Sequence, residues 1–492
     1  MKTIHAWDVP ELRVLEIDRQ LAIKIGKGID DQKTLINKLS TELNYKKDTI
    51  RKFLQKIKKG KAWIGTSIPF QVLLEVCKII DVTPSHIEQS LISIKTLHMK
   101  CKIINCKFPV RIDPIFVSFL FHHYGDGCGR YWSQKISRTV NREKYFQKAE
   151  HIIGEIKNWG TKTKKDIRTP SIFLKLFDVA FNLSYKDIVN KKIPRNIPMK
   201  TDFLMAALVS IIIDDGCVNS NSISITQKDR RFLSVLRNYC IQLVGNRNVS
   251  KIRKMYVKYK DSRRESYRFS ILACGILPFH KRLKSLINNY GEILNLADKM
   301  DKFNFLVEKY QKKLDKANSV LMRPSDALSP QMLKILVLIS ERFNTSRELI
   351  NFSVVKKSMT KEILKRSRES GLTRVNLGPD ASYIYTLSDF GKIIVSLYRK
   401  TRSKSELHKI LRKPVTKRII LSLLTVKDHS RKMEILQKVG IQNYSYYEKF
   451  DVLEEAKIIK FDKRIQNKKF YLVDKNSNIL KLFNALNSFK SR

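Results

Sequence analysis

Two strongly apolar helical runs in this chain stop on the same residues. Ile115–Tyr124 runs into Gly125-Asp126-Gly127-Cys128, and Phe203–Ile213 runs into Asp214-Asp215-Gly216-Cys217. The aspartates at 126 and 215 stand 89 positions apart. A unit of that size recurring once predicts a domain made of two related halves. The first run is opened by Asp113-Pro114, a capping acid followed by proline at the first helical position. Thr201 is the expected cap of the second.

Strand-like patterns follow both runs. After the second come Ser222–Thr226, a helix Asp229–Leu243, then alternating runs Val249–Lys260 and Tyr267–Leu272 around a turn at Asp261–Ser266. After the first come Tyr131–Thr139, a helix Arg142–Trp159 and a weaker strand Ser171–Leu176. Helix, two strands, helix, two strands is the order in each copy, with halves of about 105–195 and 196–290.

An acid at a helix C-terminus sits against the partial negative charge of the helix end. Two such helices side by side would bring two carboxylates together, an arrangement that calls for a cation. A divalent ion held by carboxylates and water supplies one, and it stabilises charge developing on a phosphate. Close approach needs small side chains. Ala206, Ala207 and Ser210 offer them in the second run, and Ser118 and Gly125 in the first. Leu120 and Phe121 are expected to obstruct the contact. His122 and His123 are expected to pack or hydrogen-bond within their helix.

Charge points to the partner. Lys and Arg number 96 against 46 Asp and Glu, a net +50. Such self-repulsion fits an anionic partner, and basic residues spread along the chain among aromatics fit nucleic acid. No apolar run reaches the length of a membrane span, so no membrane partner is expected. Seven scattered cysteines, an odd number, fit a reducing cytoplasmic setting. Neither end carries the residues of a self-splicing insert, so this domain is expected to be free-standing or fused only to DNA-binding modules.

The flanks read as added modules. Residues 1–95 are expected to be a helical domain with a helix-turn-helix. Its two helices span Gln32–Leu43 and Lys47–Ile57, and Lys46, Lys47, Arg51 and Lys52 face nucleic acid. Residues 293–324 read as a charged linker helix. Residues 325–402 and 410–488 each read as winged-helix-like, with a wing at Thr373–Thr386 in the first. The second is expected to hold helices 416–424, 430–438 and 443–455 before a hairpin Ile458–Val473.

Leu208-Val209-Ser210-Ile211-Ile212-Ile213-Asp214-Asp215-Gly216 resembles the signature nonapeptide of the LAGLIDADG homing endonucleases. Phe119–Gly127 is a more divergent version of it. Lys192–Met199 before the second helix and Tyr267–Ile271 after it are also similar to the family. The resemblance covers roughly 105–290. It implies an α+β fold: a pseudo-twofold αββαββα saddle whose two sheets sit on double-stranded DNA, as a monomer with internal symmetry. It implies Mg²⁺-dependent hydrolysis of phosphodiester bonds in both strands. The last acid of each motif binds the metal, which here means Asp126 and Asp215, while Asp214 serves packing or capping. The family's added lysine near the metals maps to Lys258, with Lys135 as its counterpart in the first half. The DNA-facing residues are then Arg130, Lys135, Arg138 and Arg142 in the first half. In the second they are Lys251, Arg253, Lys254, Lys258, Lys260, Arg263, Arg264 and Arg268. Two other functions suit the same frame: a non-catalytic DNA-binding regulator on a degenerate saddle, and a maturase that binds structured RNA.

Overall fold

A computed structural model gives the architecture. It describes residues 2–29, 32–59, 63–96, 101–125, 127–128, 133–136, 138–161, 166–259, 262–322, 328–353, 355–400, 430–431, 454, 459–465 and 468–473. The chain divides into two compact units, Met1–Val307 and Glu308–Arg492.

The first unit begins with β1 (Thr3–Ile4), β2 (Leu12–Ile17), α1 (Arg19–Gly28), α2 (Gln32–Glu42) and α3 (Lys47–Lys58). Then come β3 (Trp63–Pro69), α4 (Phe70–Ile79), α5 (Pro84–Gln89), β4 (Leu91–Thr96), β5 (Lys102–Ile104) and β6 (Val110–Arg111). The expected pair α2 and α3 is present, joined by a turn with Asn44 at φ +51°. Ile50, Leu54 and Ile57 bury one face of α3, while Lys46, Lys47, Arg51 and Lys52 stay exposed. A wholly helical segment is not what forms, however. β2 to β4 join β5 and the later β9 in a five-stranded antiparallel sheet of order β3-β2-β4-β5-β9. The six-residue strands Leu-Arg-Val-Leu-Glu-Ile and Leu-Ile-Ser-Ile-Lys-Thr are rich in β-branched and apolar residues, and both bury the same irregular pattern of positions. They are short enough to read as ends of neighbouring helices. The sheet, together with the pairing of β1 with β6, carries structure across the boundary expected at 95–105.

The repeat follows. Its first copy is α6 (Pro114–Gly125), β7 (Gly127–Cys128), β8 (Ser133–Lys135), α7 (Thr139–Ile153), β9 (Glu155–Lys157), β10 (Gly160–Thr161), β11 (Asp166–Arg168) and α8 (Ile172–Phe181). A short helix α9 (Tyr185–Val189) leads to the second copy: α10 (Thr201–Asp215), β12 (Gly216–Val218), β13 (Ile223–Gln227), α11 (Arg230–Val244), β14 (Arg253–Tyr259), β15 (Ser262–Ile271) and α12 (Ala273–Tyr290). The two sheets are ordered β7-β8-β11-β10 and β12-β13-β15-β14, antiparallel throughout. With β9 set aside, because it joins the amino-terminal sheet, the copies share one topology.

Several local expectations shift. Ser171–Leu176 belongs to a helix, because Ile172, Phe173, Leu176, Phe177, Ala180 and Phe181 recur at helical spacing and are all buried. α7 stops at Ile153 rather than Trp159, where Gly154 takes φ +110°. The expected turn at 261–266 is largely strand, since β14 and β15 pair until Tyr259 meets Ser262. Lys200, not Thr201, takes the cap position of α10 and makes no side-chain cap. Asp113 caps α6 as expected, its Oδ1 accepting the Phe116 N–H at 2.8 Å. The cysteines among the described residues with assigned surroundings are free thiols.

The division between units falls within α13 (Met300–Asn318). The second unit contains α14 (Pro330–Ser340), α15 (Ser346–Phe352) and α16 (Lys357–Glu369), the hairpin β16 (Thr373–Leu377) and β17 (Tyr383–Leu387), and α17 (Asp389–Lys400). This is the expected order of three helices and a wing-like hairpin. Farther on, β18 (Ser430–Arg431), β19 (Ile459–Ile465) and β20 (Lys468–Val473) form a sheet of order β18-β20-β19. The hairpin expected at 458–473 is there. Ser430 and Arg431 pair with β20 instead of opening a helix. The rest of the helices expected at 416–455 lies outside the described residues, apart from Glu454, which is helical.

Candidate functional site at the floor of a two-helix seam

α6 and α10 are buried on all sides, from Pro114 to Tyr124 and from Phe203 to Ile213. A helix apolar all round belongs in a core, and these two form the core together. They meet at serines: Ser118 Oγ lies 2.6 Å from Ser210 Oγ, and Ser210 Oγ donates to the Ser118 carbonyl at 2.7 Å. The hydroxyls satisfy each other where larger side chains would hold the helices apart. The obstruction expected from Phe121 does not arise. Its ring turns to Tyr124 and to Tyr239 of α11, while Phe119 packs on Phe173, Tyr145 and Phe177. Leu120 is fully buried.

Toward the C-terminal ends the contact tightens. A β-carbon at Gly125 would stand 2.5 Å from Asp214 Oδ2, so glycine is the residue that admits the carboxylate. Asp214 therefore packs across the seam, as expected. His122 Nδ1 reaches its two oxygens at 3.0 and 3.1 Å, and Lys148 Nζ of α7 lies 2.8 Å from His122 Nε2. The side chains of His122 and Asp214 are 2% and 3% exposed and Lys148 is fully buried. An ammonium has only protons to give, so Nε2 accepts and the Nδ1 proton goes to Asp214. Burial, with the Lys148 charge beside it, holds His122 well below its usual range. Burial also pulls Lys148 down to about 7, against the upward pull of Asp214. The result is a buried lysine–histidine–aspartate chain tying α7 and α6 to α10. Around it His123 is held low by burial, and the Tyr145 hydroxyl bonds Thr169 at 2.6 Å.

Asp215 faces the other way. Gln227 of β13 donates through Nε2 to Asp215 Oδ2, and Lys191 Nζ donates to Gln227 Oε1 at 2.6 Å. Burial and the neighbouring Asp214 push the Asp215 carboxyl up to about 6, while Lys191, the Gln227 bond and Lys299 oppose that rise. Lys299 closes the helix end: its ammonium donates to the carbonyls of Ile212 at 2.6 Å, Ile213 at 2.5 Å and Gly216 at 2.7 Å. A cavity of about 320 Å³ opens here, lined by Arg138, Asn141, Asp214, Gly216, Asp298 and Lys299 among others.

The other sequence-derived residues fall in several places. Asp126, Arg130 and Lys260 lie outside the described residues. Arg138 donates to Asp298, so its guanidinium is engaged within the chain. Arg142 lies over the Phe146 ring at 5.6 Å. Lys251, Arg253 and Lys254 are exposed, with Lys254 paired to Glu265 at 2.7 Å. Arg268 is half-buried and donates to Thr226 Oγ1 at 2.9 Å. Lys135 is opposite Asp166 in the sheet, one residue beyond the pair Gly127–Gln134. Arg263 and Arg264 pair in register with Lys258 and Val257 near the hairpin tip.

That register corrects the assignment of Lys258. Gly216 pairs with Ile225 and Ile225 with Phe269, whereas Lys258 sits opposite Arg263. Six residues of strand separate the two levels, about 20 Å at ~3.3 Å per residue. Lys258 is thus too remote to act beside Asp215, and Lys191 and Lys299 are the lysines whose charges reach it. Sequence signals existed for two of the overlooked residues. Lys148 stands on the apolar face of α7 with Tyr145, Ala149 and Ile152, and Gln227 follows Ile223 and Ile225 at alternating positions. Lys299 has no such local signal.

Compared with protein-family models, curated proteins and solved structures, the chain matches none. Among the described residues no three His, Cys, Asp or Glu side chains gather as a metal-binding group, and no helix is long and apolar enough to cross a membrane.

Proposed function

We propose that the first unit is a DNA-binding nuclease of the LAGLIDADG kind, hydrolysing phosphodiester bonds in both strands with a divalent cation. One observation carries the reading. Two copies of one αββαββ topology meet through α6 and α10 at Ser118 and Ser210, so positions 126 and 215 each immediately follow or end a seam helix. The net charge of +50 and the exposed Lys251, Arg253 and Lys254 on and beside β14 support duplex DNA as the partner. The module at 330–400, three helices and then a wing-like hairpin and a further helix, supports added contacts to DNA.

Carboxylate and backbone carbonyl oxygens are hard donors, and Asp215 with the Gly216 carbonyl fits a cation such as Mg²⁺. Asp215 and Asp126 would hold it, and the ion would supply an activated water and charge stabilisation at the phosphate. Within the chain, Gln227 orients the Asp215 carboxylate, Lys191 braces Gln227, and the His122–Asp214 bond fixes the helices that carry the acids.

A second reading, a non-catalytic DNA-binding regulator, is favoured by one feature: the ammonium of Lys299 already serves the end of α10. Incubating a plasmid library with the protein and Mg²⁺ separates the two. Cutting supports the nuclease, selective binding without cutting at any Mg²⁺ concentration supports the regulator, and preference for structured RNA supports a maturase.

A further inference from the structure

Lys299 sits where a helix cap is usual but arrives by an unusual route. Basic caps commonly come from the last turn of their own helix. This one comes from a segment beyond α12, after Gly291 at φ +87° turns the chain back. That segment is pinned to the first copy at three points. Lys144 Nζ donates to the Glu292 carbonyl at 2.8 Å, Arg138 pairs with Asp298, and the Asp298 N–H reaches Asn141 Oδ1 at 3.4 Å. Its next residue, Lys299, is fixed to the second copy. Residues 292–299 therefore strap the two halves together across the floor of the seam.

The ammonium there donates to three backbone oxygens, close enough to Asp215 for its charge to act on that carboxyl. Carbonyl oxygens beside a carboxylate are also the donor set of a hard divalent ion. Asp298, on the same strap, keeps one side-chain oxygen, Oδ1, buried without a partner among the described residues, and the residue lines the 320 Å³ cavity that Lys299 and Asp214 also line. An anionic oxygen in need of a donor or cation, next to a fixed cation, marks this floor as a place built around positive charge.

We propose that Lys299 is the resident cation of the acidic end of α10: it occupies the oxygens for which a divalent ion would compete, and the 292–299 strap thereby sets the metal affinity of that end. The inference rests on the nuclease reading only for the identity of the ion, and it is tested without DNA. Mn²⁺ binding is followed by electron paramagnetic resonance for the full chain and for Lys299→Met, Asp215→Asn and the double variant. Lys299→Met is expected to bind Mn²⁺ at least tenfold more tightly at one site, and the double variant to lose that gain. An unchanged Mn²⁺ isotherm in folded Lys299→Met overturns the proposal and leaves Lys299 a helix cap. If Lys299→Met fails to fold, hydrogen exchange of residues 292–302 in the unaltered protein decides. Saturating Mn²⁺ is expected to speed exchange there as the strap yields, and exchange that is indifferent to Mn²⁺ overturns it. A gain in Mn²⁺ affinity in a protein that never cuts DNA would sustain this inference while removing the nuclease reading.

Discussion

Replacing Lys148 with methionine probes the buried chain at the seam. Lys148 is fully buried, and its folded pKa is about 7 against 10.5 for an ordinary lysine. Between those values the unfolded chain binds more protons than the folded one, so stability rises with pH through this window. The gap corresponds to about 5 kcal/mol in total, of which about 3–4 kcal/mol falls between pH 7 and pH 10. Methionine fills similar volume and does not titrate. The stability of the unaltered protein relative to Lys148→Met should therefore climb by about 3–4 kcal/mol from pH 7 to pH 10. Comparison with the variant cancels every contribution that the two proteins share. Urea unfolding followed by tryptophan fluorescence is the assay. Trp7, Trp63, Trp132 and Trp159 are the only tryptophans and all belong to the first unit, so the signal excludes the second. Parallel pH profiles for the two proteins would refute the idea that Lys148 is held in the seam at the expense of its charge.

Gly125→Ala should lower stability by about 1–3 kcal/mol, because the added methyl meets Asp214 inside a packed seam; the same urea titration at pH 7 reads the loss, and an unaltered midpoint would show that the helices are farther apart. Asp215→Asn should be the more stable protein at pH 8 by up to about 3 kcal/mol, since a carboxyl raised from 3.8 to about 6 costs the folded state above pH 6. The advantage should vanish near pH 4, and its persistence there would assign the effect to something other than charge. Arg253→Glu, at an exposed strand position, should weaken duplex binding across sequences and reduce the slope of log affinity against log salt by about 1 or more; an unchanged slope would remove this strand from the DNA surface.

The parts of the fold that the sequence made legible are those set by local pattern. α6 and α10 were visible because a helix apolar on nearly every side cannot sit on a surface, and their shared Asp-Gly-Cys endings marked the repeat. α11 showed its apolar face, while Asp229, read as its first residue, is its cap, its carboxylate accepting from the N–H groups of Arg231 and Phe232. The amino-terminal sheet was hidden because its five strands are three to seven residues long and are drawn from residues 12 to 157. A strand of three residues has no period to read, and only its partners define it. The site was half legible for the same reason. Asp215 announced itself at a helix end, but its partners Gln227, Lys191 and Lys299 come from a strand, the turn after a short helix and a strap, joined only by folding. Lys258 stands on the most basic stretch of the repeat, but strand register carries it to the hairpin tip, away from Asp215.

The ends of the two seam helices are proposed to form one catalytic floor. Its most direct measurement is end-mapped cleavage of a randomised duplex library in Mg²⁺ by the unaltered protein, Asp126→Asn and Asp215→Asn, with DNA binding recorded in parallel. Paired breaks on both strands are expected for the unaltered protein, and loss of cutting with retained binding in each variant. Undiminished cutting by Asp215→Asn, or firm binding by the unaltered protein with no breaks at any Mg²⁺ concentration, would contradict it.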